Sequence, residues 1–289
     1  MGRKKGLLKN MKRICSILAI FILIICVNND FYAAITVGGS SQSEYQSTGS
    51  CQLEDRGSAV LLADAFMDFL KAYAGDYVNV KFNYHNNSAW EQDMKPGAWS
   101  NDSIDDVNLM LFAGHGYGKN VNKNVTGLNT LHYYNLNSFT EFHPASNEGM
   151  NDSNLTTKEA LWGRTGTSTR WVVTYSCNFL NTDDPYCNNM MQGINIMMGF
   201  ATTMYLLRNE GMAFGMDLGL GSNMIDAFLA DAAKNQTGRL DNQGIAKVIY
   251  ASAARNDTIY SYAYANSKPN PIGGSTAYYS ITRTIPAKQ

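Results

Sequence analysis

Two apolar stretches decide the fold of this chain: LMLFAGHG at residues 109–116 and WVVTYSC at residues 171–177. Each begins with an apolar run that lacks the alternation of a half-buried strand. Such runs are typical of central parallel strands, which are covered on both faces, and the segments between them supply the crossovers. The sequence therefore predicts an α/β protein with a mostly parallel central sheet and helices on both faces.

Segments on either side of these stretches predict the remaining elements. Runs rich in strand formers indicate strands, and apolar residues that recur at helical spacing indicate helices. The further predicted strands are residues 35–38, 77–84, 194–200, 246–251 and 275–281, and the predicted helices are residues 58–74 and 222–234. We expect the last strand to close one edge of the sheet.

One domain is expected over residues 35–289, a length that a single α/β domain commonly reaches. Residues 119–169 form a long insertion rich in Asn, Thr and Gly. Insertions of this kind either cover an active site or remain surface loops. Hydrophobic residues make up 45% of the chain and charged residues 16%, which allows a sizeable core, and the net charge of −1 gives no footprint for nucleic acid.

The N-terminus has the layout of an export signal. Basic residues cluster before residue 14, and an apolar run at 14–27 precedes polar residues 28–30. This run of about fourteen residues is shorter than the roughly 20 that span a bilayer. We predict that residues 1–34 are a signal peptide, that the protein is secreted, and that no stable membrane span remains after processing.

Three cysteines remain beyond that segment: Cys51, Cys177 and Cys187. An odd number in an oxidising compartment leaves one thiol outside any intramolecular pair. A Cys51–Cys187 pair would leave Cys177 reactive. A Cys177–Cys187 disulfide and three reduced cysteines are the alternatives.

His115 and Cys177 each follow the end of a predicted parallel strand. Groups after the carboxyl ends of neighbouring strands converge at one edge of the sheet. A thiolate is the nucleophile of acyl transfer, and an imidazole can exchange its proton near neutral pH. The glycines around His115 permit unusual backbone angles, and the N–H groups of Gly116 and Cys177 are candidate oxyanion donors. Taken singly, each residue is better explained structurally; together they predict a catalytic dyad.

The two motifs resemble those of the clan CD cysteine peptidases, the caspase, gingipain and clostripain-like enzymes. In that clan an apolar strand ends in His-Gly and the next ends in Ala-Cys or Ser-Cys, in the same order as here. The resemblance implies a caspase-like three-layer sandwich and cleavage of a peptide or protein substrate. YSCNF at residues 175–179 replaces the caspase signature, so the chain is no caspase proper. Gly199-Phe200-Ala201, the segment 216–232 and the strand near Val248 resemble a secreted bacterial family of unknown function within the clan.

A competing hypothesis keeps the scaffold without catalysis. The protein would then be an exported binding or surface protein that contacts its partner through residues 119–169. A Cys177–Cys187 disulfide would favour binding, whereas a Cys177 thiol beside His115 would favour the enzyme.

No cofactor is predicted. His85, His132 and His143 lack metal-ligand spacing, and no paired Cys-x-x-Cys element appears, so no zinc site is expected. Loop carboxylates are either solvated charges or calcium ligands; they are Asp102, Asp105, Asp106, Asp183 and Asp184. Asp217 and Asp226 are candidate substrate-pocket residues by position alone.

Overall fold

A computed structural model of the chain describes residues 34–43, 57–89, 91–95, 103–117, 130–132, 154–156, 160–163, 167–181, 190–237, 242–261 and 278–287. Contacts divide the chain into the units 1–34 and 35–289, and every element described below belongs to the second. The predicted signal peptide lies outside the described residues, except for Ala34. No described helix is both long and apolar enough to cross a membrane.

A seven-stranded sheet forms the centre of the fold, and a small antiparallel sheet lies beside its carboxyl edge. The described strands are β1 (Ile35–Ser41), β2 (Val78–His85), β3 (Leu109–Ala113), β4 (Gly116–Tyr117), β5 (Thr130–His132), β6 (Asn154–Thr156), β7 (Trp171–Tyr175), β8 (Ile196–Phe200), β9 (Gly244–Ala251) and β10 (Tyr278–Ile285). The main sheet has the order β2-β1-β3-β7-β8-β9-β10, and the small one has the order β4-β5-β6. The first five strands of the main sheet are parallel, whereas β9 and β10 are added in antiparallel fashion.

Burial of both faces explains why β3 lacks alternation. Successive side chains of a strand point to opposite faces of the sheet. Leu109 and Leu111 belong to one core cluster, and Met110 and Phe112 belong to the cluster on the other side. All five residues of β3 and all five of β7 are buried, as expected for central parallel strands.

Three α-helices with described bounds cover one face: α1 (Ser58–Ala74), α2 (Arg208–Gly219) and α3 (Met224–Gln236). Apart from Ala65, their buried apolar side chains join the same core cluster. On the opposite face, the described cover consists mainly of short 3-10 turns and irregular segments around Trp162 and Phe179. The predicted mixed α/β fold with a mostly parallel sheet is confirmed, but among the described residues the expected α-helical cover is found on one face only.

Each predicted strand and helix overlaps an observed element. The predicted helix at residues 58–74 has the observed bounds of α1, and the last strand forms an edge of the sheet as expected. Helix α2 was not predicted, because its glycines and polar residues weaken the apolar pattern on which helix prediction depends.

Those glycines bring α2 against α1. A Cβ atom at Gly211 would overlap the carbonyl of Leu62, and one at Gly215 would overlap the carbonyl of Phe66. At Gly219 a Cβ would lie 2.6 Å from the Cβ of Tyr73. Glycines four residues apart lie on one face of a helix, so this face of α2 can approach the α1 backbone directly.

We expect Gly215→Ala to destabilise the protein by about 1–3 kcal/mol, because an added methyl group in a closed helix contact forces the helices apart. Urea unfolding would measure the change. Gly57→Ala is the control, because a Cβ at that position meets nothing within 4 Å. Equal stability of the two variants would show that α1 and α2 do not pack closely at Gly215.

Candidate active site

The pairing of β3 with β7 brings the two predicted catalytic residues to the same level. Ala113 lies opposite Tyr175 in the parallel register, and the Gly114 N–H continues the pairing by donating to the Tyr175 carbonyl at 3.1 Å. His115 and Cys177 each lie two residues beyond this paired position. They therefore leave the carboxyl edge of the sheet side by side.

His115 and Cys177 line one cavity of about 250 Å³. His115 is buried, with 6% of its surface exposed, and Cys177 is half-buried. The remaining lining residues carry no charge; they are Gly114, Thr203, Met204, Tyr205 and Leu206. The cavity is therefore a largely apolar pocket with an imidazole and a thiol in its wall.

Cys177 carries a thiol and takes no part in a disulfide. The alternative of a Cys177–Cys187 bridge is therefore not what this structure contains. Cys51 and Cys187 lie outside the described residues, so the pairing of those two cysteines stays a prediction.

Gly116 closes the junction between the two strand ends. A Cβ at this position would lie 2.7 Å from the carbonyl oxygen of Cys177 and 2.8 Å from the Cβ of Ser176. Such distances are shorter than van der Waals contact, so a residue with a side chain would force the two segments apart. The backbones of Gly116 and Cys177, whose N–H groups are the predicted oxyanion donors, are thus neighbours.

The cavity wall at residues 203–206 was not predicted. It follows β8, which lies parallel to β7 in the sheet, and it contacts the thiol directly. The Met204 N–H donates to the Sγ of Cys177 at 3.5 Å, and the thiol lies 3.5 Å from the Met204 carbonyl, to which it donates. The apolar run 194–200 was a signal for this wall, because segments after parallel strands meet at the same edge.

A buried polar network supports the wall from behind. The Tyr205 N–H donates to Oε1 of Gln236 at 2.9 Å, and Nε2 of Gln236 donates to the Tyr205 carbonyl at 2.7 Å. The same Nε2 donates to Oε2 of Glu210 at 2.5 Å. Gln236 and Glu210 are both fully buried, and they bring α2 and α3 into contact with the site.

Burial also changes the ionisation of the groups around this network. Desolvation raises the pKa of Glu210 to about 8. The hydrogen bond from Gln236 acts to lower this pKa, and the negative charge of Asp231 acts to raise it. Desolvation, together with the charge of Asp217, raises the pKa of Asp231 to about 7. The pKa of Tyr175 is raised well above its ordinary value, first by desolvation and then by the two carboxylates. The environment of these three side chains therefore favours their protonated, uncharged forms.

A second histidine cluster lies at the same sheet edge. Ser41 Oγ is 2.7 Å from Nδ1 of His85, and Nε2 of His85 is 3.1 Å from Oδ1 of Asp64. The residue types are those of a serine hydrolase triad. However, Ser41 is fully buried and is not among the residues that line the cavity, so the cluster serves to fasten β1, β2 and α1 together.

Within the described part of the chain, no group of three or more His, Cys, Asp or Glu side chains could hold a metal ion. Asp106 accepts from the N–H and hydroxyl of Ser103 at 3.3 Å, in a capping box, and lies 3.8 Å from Nζ of Lys81. Both contacts are structural. Asp105 lies in the same short 3-10 turn, Ile104–Asp106, and the other calcium candidates, Asp102, Asp183 and Asp184, lie outside the described residues.

The two aspartates considered for the substrate pocket do not line the cavity. Asp226 pairs with Nη2 of Arg255 at 3.0 Å. Asp217 lies near the end of α2, where its charge acts on Asp231. Position along the chain was therefore a poor guide to the lining of the pocket.

We expect the free energy of unfolding to fall as the pH rises from about 4.5 to about 8. The folded protein holds a proton on Glu210 in this range, while the unfolded chain has lost it, so the unfolded state is favoured by rising pH. The loss should be on the order of a few kcal/mol, since each pKa unit corresponds to about 1.4 kcal/mol.

Urea unfolding of wild type and Glu210→Gln at about pH 5 and about pH 8.5 would measure this effect. The variant should lose the part of the decrease that Glu210 contributes and keep the part due to Asp231, whose pKa is also raised, and the control Asp226→Asn should retain the whole decrease. A wild-type stability that does not fall between the two pH values would contradict the proton on Glu210.

In a comparison with protein families, a family model described as a domain of unknown function (DUF6345) matches residues 50–280. The match covers more than half of the chain and includes all the residues of the cavity. No curated protein matches the chain.

Proposed function

Since the chain belongs to the DUF6345 family, whose description assigns no activity, we propose from its site that it is a secreted cysteine peptidase-like hydrolase with a His115/Cys177 dyad. One observation carries the proposal. The two residues extend neighbouring parallel strands from the same register and line one cavity. A nucleophile and a base at such a position are the parts that acyl transfer requires.

In the proposed reaction, the Cys177 thiolate attacks the carbonyl carbon of a peptide bond and forms a C–S bond. His115, which has taken the thiol proton, returns it to the leaving amine as the C–N bond breaks. Water then hydrolyses the thioester with His115 as base, which restores the thiol. The N–H groups of Gly116 and Cys177 stabilise the oxyanion of each tetrahedral intermediate.

The residues that line the cavity indicate which kind of substrate side chain it can bind. Met204, Tyr205 and Leu206 contribute apolar surface, and none of the residues that line the cavity is Asp, Glu, Lys or Arg. An apolar pocket desolvates a charged side chain without pairing it, which is unfavourable. We therefore propose cleavage next to an uncharged, mainly apolar residue.

The wider assignment extends the same proposal. A mostly parallel sheet with its candidate dyad at the carboxyl edge fits a caspase-like sandwich, which is the fold we propose. The basic and apolar N-terminal segment supports export. No cofactor enters the proposed reaction, because the thiol, the imidazole and water supply every step.

We expect His115→Ala to slow alkylation of Cys177 by iodoacetamide near neutral pH by at least about tenfold, because the thiolate loses the base that generates it. Peptide mass spectrometry after timed labelling would measure the rate. His85→Ala is the matched control, since His85 lies at the same sheet edge but is hydrogen-bonded to Ser41 and Asp64.

Equal alkylation rates of Cys177 in wild type and His115→Ala would rule out the proposed dyad. A Cys177 that takes no label in the folded protein would favour the non-catalytic exported binding protein.

Incubation with a mixture of unstructured peptides should give products cut next to apolar residues, and Cys177→Ala should abolish them. Sequencing the products by mass spectrometry tests both the activity and the pocket. Cleavage confined to positions next to Asp, Lys or Arg would contradict the apolar pocket while leaving the dyad in place.

A further inference from the structure

The peptide bond between Met204 and Tyr205 lies between the candidate nucleophile and a buried amide. In a trans peptide the C=O and the following N–H point in opposite directions, and the described residues contain no cis peptide. Here the Met204 carbonyl accepts from the Cys177 thiol at 3.5 Å, and the Tyr205 N–H donates to Gln236 at 2.9 Å. Whatever fixes the N–H therefore also fixes the carbonyl that faces the sulfur.

Gln236 holds this peptide by more than one contact. Its amide pairs with both the N–H and the C=O of Tyr205, as a neighbouring β-strand would. Glu210 accepts from the same Nε2 and so fixes which way the amide faces. Both side chains are fully buried, and separating them from their partners would leave polar groups unsatisfied.

The carbonyl and the N–H of Met204 have opposite effects on the sulfur. A hydrogen bond from the thiol to the carbonyl exists only in the neutral form, so it opposes ionisation. The Met204 N–H donates to the same sulfur at 3.5 Å and favours the thiolate. If the carbonyl turned away, the contact that opposes ionisation would be lost and the one from the Met204 N–H would remain.

We propose that Gln236 is a positioning residue that holds the Met204 carbonyl against the Cys177 thiol and so keeps the site in a resting, neutral-thiol state. The inference rests on the proposed function, in which Cys177 is the nucleophile. Rotation of the Met204–Tyr205 peptide, which a substrate in the cavity would promote by contact with this wall, releases the sulfur for attack.

We call this arrangement, in which Gln236 holds the Met204 carbonyl against the Cys177 thiol, the lock. Gln236→Met tests it, because methionine retains the length of the side chain and removes its hydrogen bonds. The rate of Cys177 alkylation by iodoacetamide would be measured from about pH 5 to about pH 10. We expect the pH midpoint of the rate to fall by about one pH unit, with about tenfold faster labelling at pH values below the midpoint. A residue that merely supported the fold would change stability without moving this midpoint.

Asn235→Leu is the matched control. Asn235 precedes Gln236 on the same helix, and its amide donates only to the Asp231 carbonyl of that helix, at 2.9 Å. This variant should leave the midpoint unchanged. Near-ultraviolet circular dichroism would establish that both variants are folded.

Tyr205→Pro gives a second test if Gln236→Met does not fold. Proline removes the N–H that Gln236 holds, and Tyr205→Ala controls for the lost ring. The midpoint should be lower in Tyr205→Pro than in Tyr205→Ala. A midpoint that is unchanged or raised in Gln236→Met, or in Tyr205→Pro relative to Tyr205→Ala, overturns the lock.

The outcome for the lock can be distinguished from the outcome for the dyad. A lowered midpoint in Gln236→Met together with an unaffected rate in His115→Ala supports the lock and removes the peptidase proposal. An unchanged midpoint in Gln236→Met together with a slower rate in His115→Ala supports the dyad and rules out the lock.

Discussion

The in-register pairing of β3 with β7 is the constraint on which the rest of the site depends. Each parallel hydrogen bond between these strands sets the level at which the chain leaves the sheet, and the bond from Gly114 to Tyr175 is the last one before the site. A slip of one residue would reverse the faces of every side chain in the shifted strand. Both strands are buried on both sides, so such a slip would have to repack two cores at once.

The face of the main sheet that the helices cover contributes both to stability and to the site. The face covered by α1, α2 and α3 holds the sheet against helices that pack through glycine contacts. The same helices carry Glu210 and Gln236, which extend from that core to the cavity wall. Close packing of α2 on α1 therefore bears on the site as well as on stability, because α2 supplies Glu210 and leads directly from the wall.

The buried carboxyls near the wall have an energetic cost that an apolar core would avoid. Desolvation keeps Glu210 and Asp231 protonated at higher pH than usual, which makes the folded state more sensitive to rising pH. Sequences often depart from the most stable choice where a polar group has to orient something. In this fold the oriented group is the backbone of Tyr205, whose N–H and carbonyl both pair with Gln236.

The sequence predicted those parts that depend on local pattern. Continuous apolar runs located the central strands, and apolar residues at helical spacing located α1 and α3. Because groups that follow the carboxyl ends of neighbouring parallel strands converge at one edge of the sheet, His115 and Cys177 were predicted to lie close together. The sequence could not predict α2, whose glycines matter only against the backbone of α1. It also could not predict the wall at residues 203–206 or Gln236, since their roles depend on contacts between elements far apart in the chain.

The state of the Cys177 thiol links the proposed lock to the proposed compartment. Thiolates react readily with oxidants and disulfides, whereas neutral thiols react slowly. For the proposed exported peptidase, a neutral resting thiol would slow oxidation of the nucleophile until a substrate is present. A carbonyl fixed against the sulfur favours that neutral thiol, and a wall that forms part of the substrate cavity places its release where the substrate binds. A purely structural cysteine would need neither the cavity nor a buried amide to orient the peptide beside it.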